Sequence, residues 1–228
     1  MSGSTVRFGD VCVEKLVCST YKDLLMIRYY DEPLIVQSPW IQLTHYGIPK
    51  TDKYNTTEES RRYLKVPLHS DDDDDFTLFI KKLDEFFGSD EFRTKYLDEK
   101  QQKFQYFKLL KESNNEKYPP SLKLKMDVKD NIIKTDIYTD ALKTEAVSVK
   151  NMDDVAKAIP YKSEVRFLFK VHRLWIQPSI KGYGVILKLR KIQVIRNRSL
   201  GNNEEFIDTE DESQQMEQAS VSSATPTQ

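Results

Sequence analysis

The chain has 228 residues, 39% hydrophobic and 11% aromatic, enough to bury one good core with long excursions around it. Two cysteines, Cys12 and Cys18, and the lack of an apolar run long enough for a signal core or a membrane span point to a reducing, cytosolic compartment and exclude a spanning helix. The net charge of −1 conceals a polarised molecule: seven of the 36 acidic residues lie beyond Arg198, the last basic one, so 35 Lys and Arg face 29 Asp and Glu over residues 1–203, about +6.

From the N-terminus, "YKDLLMIRYYDEPLIVQSPWIQLTHYGI" reads mainly as extended structure, with turn chemistry at Asp31-Glu32-Pro33 and a kink or edge at Pro39. "RRYLKVPL", Arg61 to Leu68, is a further short strand after a polar loop. Next, Phe76, Phe79, Ile80, Leu83, Phe86 and Phe87 recur at helical spacing behind Asp75, a candidate N-cap. Gly88 and Ser89 stop that helix and Asp90 can cap a second. Phe92, Tyr96, Phe104, Phe107 and Leu110 then carry irregular helical spacing onward, which gives a helical insertion over about 76–111.

Period two returns in "SLKLKMDV", with Leu122, Leu124 and Met126 on one face and Lys123, Lys125 and Asp127 on the other. "NIIKTDIYTD" continues extended, and Met152, Val155, Ala156 and Ile159 form a short helical stripe ended by Pro160. Two long strands follow in "EVRFLFKVHRLWIQPSIKGYGVILKLRKIQVI". Val165, Phe167, Phe169 and Val171 alternate with Arg166, Leu168, Lys170 and His172. Val185, Leu187 and Leu189 alternate with Ile186, Lys188 and Arg190 until the apolar set passes to Ile192 and Val194, which predicts a bulge near Arg190 or Lys191. From about Leu200 the chain is poor in apolar residues and reads as a disordered acidic tail over 200–228, behind a single domain over 1–199.

Strands, a helical insertion, more strands, a short helix and two final strands fit a mainly β chain with helical insertions, arranged as an oligonucleotide-binding (OB) five-stranded barrel. Gly182, Gly184 and the slip near Arg190 would supply the bends that such strands need. A β-sandwich with an inserted helical hairpin gives much the same pattern.

Single-stranded nucleic acid offers phosphates to Lys and Arg and unstacked bases to flat rings, so a groove that binds it combines both on one sheet surface. Arg166, Lys170, His172, Arg173 and Trp175, with Lys181, Tyr183, Lys188 and Arg190 after the turn, offer that mixture. The same alternation also describes any antiparallel strand with one wet face. Phe167 and Phe169 share parity with Val165 and read as core; Trp175 reads as platform or interior, and Trp40, Tyr46 and Arg61 to Tyr63 as binding face or plain strand surface.

The run Asp71 to Asp75 reads as a solvated loop ahead of a helix N-terminus. Cys12, Cys18, His45, His69 and His172 match no zinc-ligand spacing, and no Gly-rich phosphate loop or nucleophile motif is present, so no cofactor, metal or catalytic residue is expected and the chain reads as a binding protein rather than an enzyme. A β-domain scaffold or virion protein that binds a protein partner is the alternative; a contiguous apolar patch would favour it, and a groove of cations and rings would favour DNA.

The succession "PLIVQSPWIQLTHYGI … RRYLKVPL … YPPSLKLKMDV … EVRFLFKVHRLWIQPSIKGYGVILKLRKIQVI" resembles the single-stranded DNA-binding proteins of nucleocytoplasmic large DNA viruses, which are similar in design to acidic-tailed phage replication proteins. The resemblance spans roughly Leu16 to Ile195. It implies an OB barrel that coats single-stranded DNA without sequence specificity during viral replication, recombination and repair, at replication sites in the host cytoplasm or in the virion, with a tail that recruits replication proteins. The groove residues it implies are Trp40, Tyr46, Arg61, Arg62, Lys65, Lys123, Lys125, Lys170, Arg173, Trp175, Lys181, Tyr183, Lys188 and Arg190. The tail departs from the family's pattern by ending "SSATPTQ" rather than in an acidic-aromatic tip.

A tethered polyanion has a high effective concentration at a basic groove and competes with DNA phosphates most strongly at low salt. Deleting residues 204–228 should therefore tighten single-strand binding at low ionic strength and change it little at high ionic strength. Paired anisotropy titrations at two salt concentrations check this, and equal low-salt affinities would remove the tail as a competitor.

Overall fold

The computed structural model describes residues 5–69, 74–139 and 145–195; the expected tail and Asp71 to Asp73 lie outside them. The first strands are short because turn residues and Pro39 interrupt the apolar runs: β1 (Thr5–Arg7), a hairpin of β2 (Leu16–Tyr21) and β3 (Leu24–Tyr29), then β4 (Ile35–Gln37) and β5 (Ile41–Gln42). Lys22 and Asp23 turn the hairpin at φ of 47° and 64°, the left-handed pair that matches strand twist in a two-residue loop. A single turn, α1 (Glu58–Arg61), is held by reciprocal bonds between Thr57 and Ser60 and leads into β6 (Tyr63–Pro67).

Two helices follow, α2 (Asp75–Gly88) and α3 (Asp90–Tyr96). Their caps are Asp74, which accepts from the Thr77 amide at 3.0 Å, and Ser89, which accepts from the Phe92 amide at 3.1 Å. Each lies one residue before the acid expected from the sequence, because a capping residue keeps extended backbone while Asp75 and Asp90 are already helical. The helical spacing expected on to Lys111 ends at Tyr96. Phe107 and Leu110 belong instead to β7 (Gln105–Phe107) and β8 (Leu110–Lys111). The buried Asp84 carboxylate on α2 explains this: it accepts from the Tyr106 hydroxyl at 2.7 Å and from the Leu109 and Leu110 amides at 2.6 and 3.0 Å, so the segment bonds to the helix rather than to itself.

The remaining strands are β9 (Ser121–Lys125), β10 (Val128–Lys129), β11 (Ile132–Ile133) and β12 (Asp136–Tyr138). After α4 (Met152–Ala158), capped by Asn151, come two strands of 14 residues each, β13 (Glu164–Gln177) and β14 (Gly182–Ile195). These two pair antiparallel along their length and form the spine of a sheet ordered β1-β4-β13-β14-β9-β6. β3 and β5 also join β13, β7 and β12 join β14, and β8 joins β9. The mainly β architecture with helical insertions is thus present. A closed five-stranded barrel is not shown: among the described residues the path is branched and no ladder joins its two ends, although the Lys65 amide of β6 donates to the Gly47 carbonyl, beyond β5, at 3.0 Å. The long spine strands satisfy their outer edges with several short strands laid end to end, a way of covering an edge that needs no closure.

Two bulges set the spine's parity. Leu168 pairs with Lys191 and Phe169 with Leu189, which leaves Arg190 as the extra residue where the apolar set was expected to slip. Val171 pairs with Leu187 and Arg173 with Ile186, which leaves His172 as a second extra residue that the alternation announces only faintly. The core face therefore carries Val165, Phe167, Phe169, Val171 and Leu174 on β13, and Leu187, Leu189, Ile192 and Val194 on β14, all buried. Phe76 of α2 meets Phe167 and Phe169 edge-on at 6.4 and 6.3 Å, so the helix covers this face and leaves the other to solvent.

Two expected groove residues belong to the interior instead. Tyr183 has no exposed surface; its hydroxyl donates to the Phe87 carbonyl at 2.8 Å and accepts from Arg93 Nε at 3.1 Å. It pairs with Ile176 rather than with a basic residue, and its odd spacing from Lys188 puts it on the opposite face of β14, with Leu187 and Leu189. Arg61 is 6% exposed, with Nη2 2.6 Å from Asp153 and Nε donating to the Pro49 carbonyl at 2.9 Å, a clamp between α1 and α4. No helix among the described residues is long and apolar enough to cross a membrane.

Tyr183→Phe keeps the ring and strips the hydroxyl from a buried carbonyl. It should cost about 1–2 kcal/mol of unfolding free energy in urea and leave nucleic-acid affinity unchanged; a stable variant with weakened binding would return Tyr183 to the interface.

Candidate nucleic-acid interface

Strand register brings the solvent-facing side chains into rows. Lys170 of β13 pairs with Lys188 of β14, Lys188 with Lys125 of β9, and Lys125 with Tyr63 of β6, so one row crosses four strands. In the next row, Arg173 pairs with Ile186, and on the far side of the sheet Lys123 pairs with Lys65. Lys123 and Ile186 line the same cleft, which joins the two halves of that row. A third row sets Trp175 against Gly184 and Gly184 against Phe107. With neighbouring strands about 4.8 Å apart, charges in a row stand at spacings that a phosphodiester chain can meet.

Gly184 is what lets the third row form. A Cβ there would lie 2.8 Å from the Trp175 indole nitrogen, so the indole rests directly on strand backbone. Phe107 packs beside it with centroids 5.4 Å apart. These rings, with Lys108, Lys111, Lys123 and Lys125, line a cleft of about 600 Å³. Farther across the sheet, Lys123 Nζ stands 3.7 Å over the Tyr63 ring and Lys65 Nζ 3.8 Å over the Tyr46 ring.

The field on this face is positive and only partly neutralised. Asp127, which is 7% exposed, accepts Lys188 Nζ at 2.6 Å on one oxygen and Arg190 Nη1 at 2.6 Å on the other. Among the described residues, no ion pair involves Lys65, Lys123, Lys125, Lys170 or Arg173. Burial lowers the Lys65 ammonium from its ordinary value; burial and then Lys125 and Lys65 lower Lys123. Lys170 is lowered by burial and then by Arg28, Arg190 and Lys188. Burial leads in all three, and for Lys123 and Lys170 neighbouring cations add to it, a cost that an incoming phosphate offsets.

The remaining expected residues lie elsewhere. Trp40, 38% exposed, stacks under Arg166 at 4.8 Å at the opposite end of β13 from Trp175. Arg62 is held by Asn131 at 3.1 Å and Glu59 at 3.4 Å. Lys181 occupies the left-handed turn before β14, at φ 47°, past the end of the rows. Tyr63, which the sequence leaves as binding face or plain strand surface, joins the basic rows, while Phe107 and Arg28 go unsignalled. Phe107 is hidden by its apparent helical spacing; Asp127 as a counter-ion leaves no trace in the sequence.

No family model matches the chain. An uncharacterized protein of Acanthamoeba polyphaga mimivirus is 23% identical over 227 aligned positions, covering 78% of this chain; the chain spans 56% of that curated relative's length. Among solved structures, the single-stranded DNA-binding protein of bacteriophage Enc34 superposes with a TM-score of 0.43 at 12% identity, over 78% of this chain and 88% of that one. The gp2.5 single-stranded DNA-binding protein of bacteriophage T7 gives 0.44 at 13%, over 75% and 91%. Likeness of this order establishes neither fold nor activity, and the interface stands on its own geometry.

The His172 bulge supplies a pH test of the cationic field. Its ring is held at about 4, first by burial and then by Lys170, Lys188 and Arg173, with only Asp127 opposing. The folded value lies below the unfolded one, so the unfolded chain takes up the proton first. Stability is full above about 6.5 and is lost as pH falls from there toward 4. Urea unfolding of His172→Gln should lose less stability between pH 7 and pH 5 than the wild type; equal losses would mean that the ring is not held neutral by its burial and the cations beside it.

Proposed function

We propose that the solvent-facing side of the sheet binds single-stranded DNA with little base preference. The observation that carries this reading is the pairing of unneutralised cations with ring faces on one surface: Lys170, Arg173, Lys125, Lys123 and Lys65 in register with Trp175, Phe107 and Tyr63. Phosphates fit the cations, and bases that have left a duplex fit the rings. A duplex satisfies the cations and hides its base faces, so it uses only half of the surface. Stacking is tolerant of sequence, so little base preference is expected. The alternative, a scaffold that docks a protein through an apolar patch, is disfavoured by the density of charge on this face.

The binding needs no chemical step, and in this reading the protein is a non-enzymatic coat. In this reading the protein works in viral DNA replication, recombination and repair, at replication sites in the host cytoplasm, with the acidic tail as the element that would meet replication proteins; the mimivirus relative, itself uncharacterized, supports a viral setting alone.

Anisotropy titrations with an oligo-dT strand, a duplex of equal length and an RNA strand test the reading. The dT strand should bind more tightly than the duplex and lose affinity as salt rises. Trp175→Ala should weaken dT binding by about 1–3 kcal/mol at every salt concentration while thermal unfolding stays cooperative. Equal affinity for duplex, or a Trp175→Ala protein that unfolds without losing affinity per folded molecule, would contradict it.

A further inference from the structure

The β6 edge of the basic face ends in a second cleft of about 580 Å³ that the rows do not account for. The rings of His45, Tyr46, Tyr63 and Tyr161 line it with Ile48 and Ile159, Lys50 and Lys65 supply its charge, and among the described residues no Asp or Glu lines it. The volume is within the range of small-ligand sites. We infer that this cleft takes one nucleotide of the bound strand, base among the rings and phosphate against Lys65, turned out of the tract that crosses the sheet. The inference rests on the single-strand reading, and it assigns that reading an end point.

Three observations select this occupant. Lys65 belongs both to the cleft and to the Lys123 row, so a phosphate track across the sheet runs into the cleft with no break in charge. Two of the cleft's three phenols are already engaged: Tyr46 donates to the Pro119 carbonyl at 2.8 Å and Tyr161 donates to the Thr44 carbonyl. Those bonds fix two of the rings; with Lys65 over one face of Tyr46 and Lys123 over one face of Tyr63, the exposed Tyr161 ring is the face offered to a planar group. The wall is also open to entry, since Tyr161 is 60% exposed, and Lys50 stands exposed at the rim. A flat group carrying an adjacent anion meets all three conditions, and a nucleotide is that group.

The test uses the full chain with oligo-dT strands of increasing length, each carrying a single 5-iododeoxyuridine, photo-crosslinked and mapped by peptide mass. A probe at one end of the bound tract should crosslink to the peptide that holds Tyr46 or to the one that holds Tyr161, and probes in the middle should crosslink near Trp175. Tyr161→Ala, at an exposed ring, should weaken binding of strands long enough to reach the cleft by about five- to a hundredfold and leave shorter strands unaffected. Tyr46→Leu, which keeps bulk, should do the same, with thermal unfolding confirming that both variants fold. Wild-type binding with crosslinks confined to Trp175 and Phe107, and variants that bind every length like the wild type, would overturn the inference and leave the single-strand reading in place. Thymidine monophosphate that quenches the cleft's tyrosines while no strand crosslinks there would overturn it too, in favour of a free-nucleotide site. No strand binding by the wild type at all would remove the reading beneath it.

Discussion

The antiparallel ladder between β13 and β14 is the constraint on which the rest of the structure depends. Because side chains alternate along a strand, one residue of slippage would exchange the buried set for the basic set over 14 residues. The ladder is held against that slip by α2, whose Phe76 packs onto Phe167 and Phe169, and by two bulges that re-phase the pattern where the strands bend. Each short strand then inherits its facing from the spine: Lys125 faces solvent because Lys188 does, and Lys65 and Tyr63 because Lys123 and Lys125 do.

Concentrating cations this way works against folding. Lys123 and Lys170 are both held below their ordinary value by burial and by neighbouring positive charge, a cost that an ordinary surface would disperse. Asp127 offsets part of it by holding Lys188 and Arg190, and those two cations stiffen the face more than they serve a phosphate. The five without carboxylate partners are the ones left to act on a ligand. A stability deficit at a surface of this kind is the usual mark of a functional site, where activity and stability draw on the same charges.

The sequence made the spine legible because alternation over long strands is a strong signal, and the handover from Leu189 to Ile192 showed the Arg190 bulge directly. The His172 bulge carries the same signal more faintly, since the apolar set passes from Val171 to Leu174 and Ile176, but His172 and Arg173 continue a plausible alternation, and the register with the burial of Leu174 makes the change of phase plain. Phe107 looked helical because a segment bonded to Asp84 on another element carries no periodicity of its own. Tyr183 and Arg61 looked like groove residues because a tyrosine and an arginine near basic strands read alike whether they face solvent or, as here, bond inward to Phe87 and Asp153. A closed barrel was expected from element order, which does not specify how many short strands line each edge of a long one.

Lys123 and Lys125 of β9, with Lys65 of β6, are the cations expected to act on phosphates. The slope of log K against log[salt] for oligo-dT binding measures this most directly, since each phosphate contact on a single strand contributes about 0.7 to that slope. Lys123→Gln and Lys125→Gln should each lower the slope by about that amount, while Lys82→Gln, on α2 at the covered side of the sheet, should leave it unchanged. Slopes that fall equally for all three substitutions, or for none, would contradict a phosphate track laid down by strand register.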